Sequence, residues 1–264
     1  PHRGSPLPYV SASRKEEINR FVPLPEDSGK IIGDGSDDLS RMLLDEYGRD
    51  LFPYRRVSSP LWRCYDLWGF ETLMIMTVVD PELVAYAASR WLEYSLWDVR
   101  RAAALGAKAI WIEECFTDMI SPTAFAYLNL PPLRKLIREI ACNGMKSIYY
   151  YCGNPMDRLD LLLSSGADAL ALEEGKKGFE IDIEEVAGHV KGECVIFGNL
   201  DAVGVLQNGT DAALRNEVRR QISAGRLNRS RFIMSLGSPV TPSTPVERVR
   251  RYCDMVHEMG NFME

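Results

Sequence analysis

Three apolar runs of this chain each end in a short polar segment beside glycine, and this pattern limits the folds open to the sequence. The runs lead into Cys152-Gly153-Asn154, Gly198-Asn199-Leu200-Asp201 and Leu236-Gly237-Ser238. In parallel α/β proteins, strands deliver reactive groups in this way to the carboxyl edge of the sheet, where binding and catalytic sites form. The sequence therefore predicts an α/β enzyme.

Predicted helices and strands alternate along most of the chain. Asp80-Pro81-Glu82 starts a helix that we expect to continue to Leu105, because Asp is a favoured N-cap and Pro a favoured first helical residue. Further helices are predicted over 39–47, 133–143, 157–165, 183–190, 211–224 and 245–259, and strands over 54–60, 107–112, 147–152, 168–173, 195–198 and 232–236. This alternation predicts a parallel sheet with right-handed crossovers, either a TIM-type barrel or a doubly wound sheet.

The first forty residues differ from the rest. They are rich in Pro, Gly, Ser and Asp and show no sustained apolar period. We therefore expect residues 1–40 to be an arm or remnant and residues 41–264 to form the barrel domain.

Composition and charge exclude several classes of partner. The net charge is −6 without a basic stripe, so no nucleic-acid partner is expected. No apolar run could span a bilayer and the start lacks a signal-peptide pattern, so we expect a soluble cytoplasmic protein without membrane contact. The six cysteines have no regular spacing and are expected to be reduced thiols. Histidine is scarce, which disfavours a Ser-His-Asp triad or a multi-histidine metal site.

The polar residues at the predicted strand ends are the candidate catalytic groups. Cys152 could act as a metal ligand or a nucleophile, and a buried structural thiol is an equally good interpretation. Of Glu113 and Glu114 only one can face the site, because successive strand residues point to opposite faces; Glu114 is favoured. Glu174 is proposed on the same grounds, with a structural salt bridge as the alternative.

Four further polar residues follow the predicted strands. Asn154 and Asn199 are expected to contact substrate. Asp201 is a candidate catalytic carboxylate. For both Asn199 and Asp201 the alternative role is to cap the loop through an Asx turn. Ser238 has no nearby histidine or lysine in the sequence, so a serine nucleophile is not expected.

Taken together, these segments resemble the uroporphyrinogen decarboxylase superfamily, which also contains corrinoid-dependent methyltransferases. The resemblance runs from about Tyr54 to Gly260 and is carried by Ser59-Pro60, Gly69-Phe70-Glu71-Thr72-Leu73, Asp80-Pro81-Glu82-Leu83-Val84, Ile120-Ser121-Pro122, Cys152-Gly153-Asn154, Gly198-Asn199-Leu200-Asp201, Leu236-Gly237-Ser238 and Thr244-Pro245. It implies a TIM-type (β/α) barrel that here lacks its first strands.

The resemblance also implies a metal site from which this chain departs. In the methyltransferase branch, zinc is held by a His-x-Cys pair and a later cysteine. This chain has Tyr150 at the histidine position, retains Cys152, and has Ser238 at the later position. Zinc held by Cys152 with Glu114 or Glu174 remains a hypothesis, and Tyr150 and Ser238 become candidate substrate-binding residues. The decarboxylase branch has a histidine where Ser238 stands.

Three functions follow from the resemblance. The leading one is methyl transfer linked to a corrinoid on a partner protein, with Cys152, Glu114, Glu174 and Asp201 at the catalytic centre. The second is decarboxylation of a porphyrinogen or another carboxylated compound. The third is a relative without catalysis that binds a tetrapyrrole or a protein. All three leave a homodimer open.

Overall fold

The computed structural model describes residues 12–25, 35–175 and 178–261. The helices there are α1 (Lys15–Phe21), α2 (Asp38–Tyr47), α3 (Pro60–Arg63), α4 (Tyr65–Val79), α5 (Pro81–Leu105), α6 (Pro122–Leu128), α7 (Leu130–Cys142), α8 (Leu159–Leu163), α9 (Ile183–Val190), α10 (Asp211–Leu227) and α11 (Val246–Asn261). The strands are β1 (Tyr54–Ser58), β2 (Ala109–Glu114), β3 (Lys146–Tyr151), β4 (Ala169–Leu172), β5 (Val195–Phe197) and β6 (Phe232–Ile233).

The six strands of the described residues form one sheet in the order β1 to β6. The pairs β1–β2, β4–β5 and β5–β6 are parallel. Helices lie between successive strands along the chain, which is the arrangement that parallel strands need for their crossovers. The predicted α/β fold with alternating helices and strands is confirmed.

Two differences from the predicted elements have physical causes. Helix α4 was not predicted, because its sequence is apolar on most sides and so lacks the period of about 3.6 residues that marks an amphipathic helix. Gly69 has a φ of 69° inside it, which kinks the helix near its start. Strand β6 ends at Ile233 instead of Leu236, although an isolated bridge still joins Leu200 to Leu236.

The chain divides into two compact units. The first contains the described residues up to Ile148 together with Ser164–Gly166, and is organised around helix α5. Helix α1 belongs to this unit. Its Ile18 is fully buried, and Trp68 Nε1 donates a hydrogen bond to the Ala12 carbonyl at 2.8 Å. Residues 1–11 and 26–34 of the predicted arm lie outside the described residues.

The second unit contains Tyr149–Leu163 and the described residues from Ala167 onward. Its core includes a cluster of buried side chains from the segment after β5, from α10 and from α11, namely Leu200, Leu206, Leu214, Val218, Tyr252 and Met255. The segment after β5 contains a π-helical turn, Ala202–Gln207. Such turns occur often at functional sites.

Two further expectations can be compared with the structure. Among the described residues, no helix is both long and apolar enough to cross a membrane. All six cysteines are free thiols, as expected for a chain without a disulfide framework.

Candidate functional site

In the first unit, Glu114 ends strand β2 and is fully buried. Ser59 Oγ donates a hydrogen bond to Glu114 Oε1, and Asn129 Nδ2 donates one to Glu114 Oε2, each at 2.8 Å. Ser59 follows β1 and Asn129 precedes α7, so this carboxylate connects three segments. A buried carboxylate that accepts two hydrogen bonds is stably held, and the arrangement is that of a structural centre.

The side chain of the neighbouring Glu113 points away from that of Glu114, because successive residues of a strand point to opposite faces of the sheet. Its carboxylate forms an ion pair with Arg56 at 2.7 Å. Burial raises the pKa of Glu113, and the Arg56 charge opposes this shift. The two adjacent carboxylates therefore have different environments, and Glu114 is the more deeply buried.

In the second unit, hydrogen bonds connect residues at the ends of three strand segments. Tyr150 Oη, on β3, donates to the Gly237 carbonyl at 3.0 Å. Ser238 Oγ donates to Glu174 Oε2 at 2.7 Å, which joins the segment after β6 to the segment after β4. A Cβ atom at Gly237 would overlap the Glu174 backbone nitrogen and carboxylate, so only glycine permits this approach. The structure thus brings together Tyr150, Glu174 and Ser238.

Cys152 lies directly after β3 in the same unit and is 7% exposed. The next residue, Gly153, donates its backbone N–H to Glu173 Oε2 at 2.9 Å. Asn199 Nδ2 donates to the carbonyls of Glu173 and Ile181, at 3.2 and 3.1 Å. Asn199 is therefore a buried residue that fixes the loop after β4, in addition to any contact with substrate.

Asp201 and Asn154 have local structural roles. Asp201 Oδ1 accepts hydrogen bonds from the backbone nitrogens of Val203 and Gly204, both at 2.9 Å, and so caps the π-helical turn. Asn154 Oδ1 accepts from the Met156 backbone nitrogen at 3.0 Å, as in an Asx turn. These hydrogen bonds give Asp201 the capping role that the sequence offered as the alternative to catalysis.

A cleft of about 390 Å³ lies at the carboxyl ends of β4 and β5. Its volume is within the range of small-molecule sites. Its described lining includes Asn199, Val205 and the charged residues Glu174, Glu180, Asp182, Asp201, Glu217 and Arg220. A larger cleft of about 820 Å³ lies in the first unit, lined by α2 and by residues 51–56, and it includes none of the strand-end residues proposed from the sequence.

The donor set at the strand ends does not fit zinc. Zinc in proteins is bound by cysteine, histidine and carboxylate, and a site of this kind needs three or four such ligands. Cys152 is the single sulfur at the expected positions, and the hydroxyls of Tyr150 and Ser238 donate to Gly237 and Glu174. No group of three or more His, Cys, Asp and Glu residues in the described part of the chain could hold a metal ion.

The sequence did not identify several residues of these centres. Ser59 was recognised only as part of a family motif, and Asn129 and Gln221 were not predicted. Gln221, on α10, is fully buried and donates to Asn199 Oδ1 at 3.4 Å. No local pattern distinguishes these side chains, because each partner is 15 or more residues away in the chain.

The sequence model of the uroporphyrinogen decarboxylase (URO-D) family matches residues 45–259. A methylated-thiol–coenzyme M methyltransferase of Methanosarcina mazei is 25% identical over 198 residues, which cover 74% of this chain and 50% of the relative. A uroporphyrinogen decarboxylase of Citrifermentans bemidjiense is 24% identical over 204 residues, which cover 75% of this chain and 57% of the relative. The chain thus spans about half the length of the curated relatives it matches.

The fold is shared with a solved structure described as a methyltransferase from Methanosarcina mazei. The TM-score is 0.77 at 17% identity, and the alignment covers 97% of this chain and 72% of that one. This similarity supports the α/β barrel architecture predicted from the sequence.

Proposed function

Because the chain belongs to the uroporphyrinogen decarboxylase family, we propose that it is an enzyme that transfers a methyl group between a small molecule and a corrinoid carried by a partner protein. Relatives named as methyltransferases and relatives named as decarboxylases match it at similar identity. The choice between them therefore depends on the site itself. The charge of the cleft beside Glu174 is the observation that carries the proposal.

This cleft is strongly acidic. Its described lining carries five carboxylates and one guanidinium, that of Arg220. Arg220 is already paired with Glu217 at 2.8 Å and with Asp182 at 3.1 Å, so little positive charge remains for a ligand. Uroporphyrinogen bears many carboxylates, and like charges in a partly buried cleft repel one another. The cleft therefore suits a neutral or cationic substrate. A methyl donor or acceptor can be neutral or cationic, whereas a porphyrinogen with many carboxylates is anionic.

The residues of the second unit have separate roles in this proposal. Ser238, held by Glu174, and Tyr150, held by Gly237, orient the small molecule at the strand ends. Cys152 follows the end of β3 as a buried thiol, two residues after Tyr150. Glu114, in the first unit, serves to fix the ends of β1 and β2 through Ser59 and is not assigned a chemical step.

The test is a methyl-transfer assay on the full chain with cob(I)alamin as the methyl acceptor, prepared without oxygen. Methyl thioethers, methyl ethers and methylammonium compounds are offered as donors, each beside a matched analogue that carries an added carboxylate. We expect methylcobalamin to form with neutral and cationic donors and to form more slowly with the carboxylated analogues. The proposal fails if no donor is used, or if the same preparation converts uroporphyrinogen to a product with fewer carboxylates.

A further inference from the structure

We propose that the strand-end centre of the second unit works without a zinc ion, and that the Ser238–Glu174 pair instead binds a proton-bearing heteroatom of the substrate. The inference concerns the site of the proposed function and rests on it for its role in catalysis. The first part of the inference, that no zinc is bound, is tested by measuring bound metal and does not depend on any activity.

The first step is that the two segments carrying the positions expected to hold zinc lie next to each other. Tyr150 and Cys152 are at the end of β3, and the Tyr150 hydroxyl reaches the carbonyl of Gly237, the residue before Ser238. These positions are more than 80 residues apart in the chain. The end of β3 and the segment after β6 are therefore neighbours, and their side chains decide what the centre binds.

The second step is the chemistry of those side chains. A phenol and an aliphatic hydroxyl replace the imidazole and the second thiolate, which are the ligands that zinc prefers. Each hydroxyl donates its proton to the protein, Tyr150 to a backbone carbonyl and Ser238 to a carboxylate. Hydrogen bonds between protein groups thus occupy the place that the resemblance assigns to a metal and its ligands.

The third step is that this arrangement is rigid. Glu174 is 5% exposed, and Gly237 packs so closely against it that no side chain fits there. The Ser238 Oγ–Glu174 Oε2 distance of 2.7 Å is that of a well-formed O–H···O hydrogen bond. With its proton directed toward Glu174, Ser238 Oγ presents its lone pairs in other directions. Such an oxygen accepts a hydrogen bond from an N–H, O–H or S–H group, including an ammonium.

The experiment measures zinc bound per chain after incubation with zinc and removal of the excess. Four forms of the full chain are compared: wild type, Cys152→Ala, Tyr150→His/Ser238→Cys, and that double variant combined with Cys152→Ala. Cobalt(II) replaces zinc in a parallel set, because a cobalt–thiolate bond gives a charge-transfer absorption band. Circular dichroism establishes which forms are folded.

In the wild type we expect neither bound zinc nor a cobalt–thiolate absorption band that disappears in Cys152→Ala. The double variant, which restores the expected ligands, should bind about one zinc per chain, and removal of Cys152 should abolish it. The inference is overturned if the wild type binds one zinc that is lost in Cys152→Ala. It is also overturned if the folded double variant gains no zinc, because the three positions would then not converge. If the double variant does not fold, the comparison of wild type with Cys152→Ala still decides the outcome.

The second half is tested by Ser238→Ala with donors that carry a proton on the heteroatom next to the methyl group and with donors that lack one. We expect KM to rise several-fold more for the proton-bearing donors, and an equal rise for both would contradict this role. A zinc-free chain without methyl transfer would overturn the proposed function alone. A zinc-dependent methyltransferase would overturn only this inference.

Discussion

Two neighbouring residues of β2, Glu113 and Glu114, show how burial and partners determine what a carboxylate does. Glu114 is fully buried and accepts hydrogen bonds from Ser59 and Asn129, whereas Glu113 is paired with Arg56, whose side chain is 58% exposed. Loss of a buried hydrogen-bond acceptor such as Glu114 is costly, whereas an exposed ion pair such as Glu113–Arg56 contributes little to stability.

Glu114→Gln is therefore expected to lower the free energy of unfolding by about 1–3 kcal/mol, because an amide cannot accept two hydrogen bonds through both of its terminal atoms. The matched variant Glu113→Gln should cost less than about 1 kcal/mol. Urea denaturation of both variants measures the difference. Equal losses would show that Glu114 is not the structural centre described above.

The buried thiol of Cys194 makes stability depend on alkaline pH. Burial raises the pKa of this thiol from 9.0 to about 11, and the neighbouring Glu193 adds to the shift. Folding therefore favours the neutral thiol. This contribution is fully present below the unfolded-state pKa and is lost as the pH rises through the folded-state value.

The free energy of unfolding should consequently fall between about pH 9 and pH 11 more steeply in the wild type than in Cys194→Ala. Other alkaline groups are common to the two proteins, so they cancel in the difference. Denaturation curves at several pH values provide the measurement. Parallel pH profiles would exclude a raised pKa at Cys194.

At the scale of secondary-structure elements, glycine marks where helices end before strands. Gly106 ends α5 with a φ of 95°, and Gly166 precedes β4 with a φ of 80°. Only glycine adopts this left-handed region at little cost. Gly188 differs because it lies inside α9 and its φ is not positive.

Gly106→Ala should lower the free energy of unfolding by about 1 kcal/mol through backbone strain. Gly188→Ala should raise it by about 0.5–1 kcal/mol, because alanine restricts the unfolded chain and suits a helix. A Cβ atom at either position meets no neighbour within 4 Å, so packing does not confuse the comparison. Thermal unfolding of the two variants should move in opposite directions, and a shift in the same direction would contradict this.

The cap of the π-helical turn gives a second prediction at this scale. Asp201→Ala removes the acceptor for the Val203 and Gly204 nitrogens and should cost about 0.5–2 kcal/mol. Asp201→Asn keeps an acceptor oxygen and should cost only a fraction of that. The free energies of unfolding of the pair distinguish capping from a purely catalytic role, in which both variants would be as stable as the wild type.

The sequence predicted elements well where a local physical rule applies. Asp80 and Pro81 marked the start of α5, and Gly106 marked its end, because caps are set by adjacent residues. Helix α4 escaped prediction because its apolar residues show no period. The Glu114 centre was only half predicted, since nothing near Glu114 in the chain indicates that Ser59 and Asn129 will meet it.

At the scale of the whole molecule, the chain belongs to the uroporphyrinogen decarboxylase family and shares its fold with a solved structure at a TM-score of 0.77. The family model matches residues 45–259, a range that includes Tyr150 and Ser238. Each substituted residue has a defined hydrogen-bond partner in the second unit. The Ser238–Glu174 pair is therefore the group on which the proposed methyl transfer depends.

The most direct test is the rate of methyl transfer to cob(I)alamin by the wild type, Ser238→Ala and the control Ser235→Ala. Ser235 lies three residues earlier and donates to the Leu236 carbonyl, outside the proposed centre. We predict that Ser238→Ala lowers kcat/KM by about 10- to 100-fold, as expected when a hydrogen bond supported by a charge is lost. Ser235→Ala should retain the wild-type rate. The account is contradicted if the wild type transfers no methyl group or if the two variants behave alike.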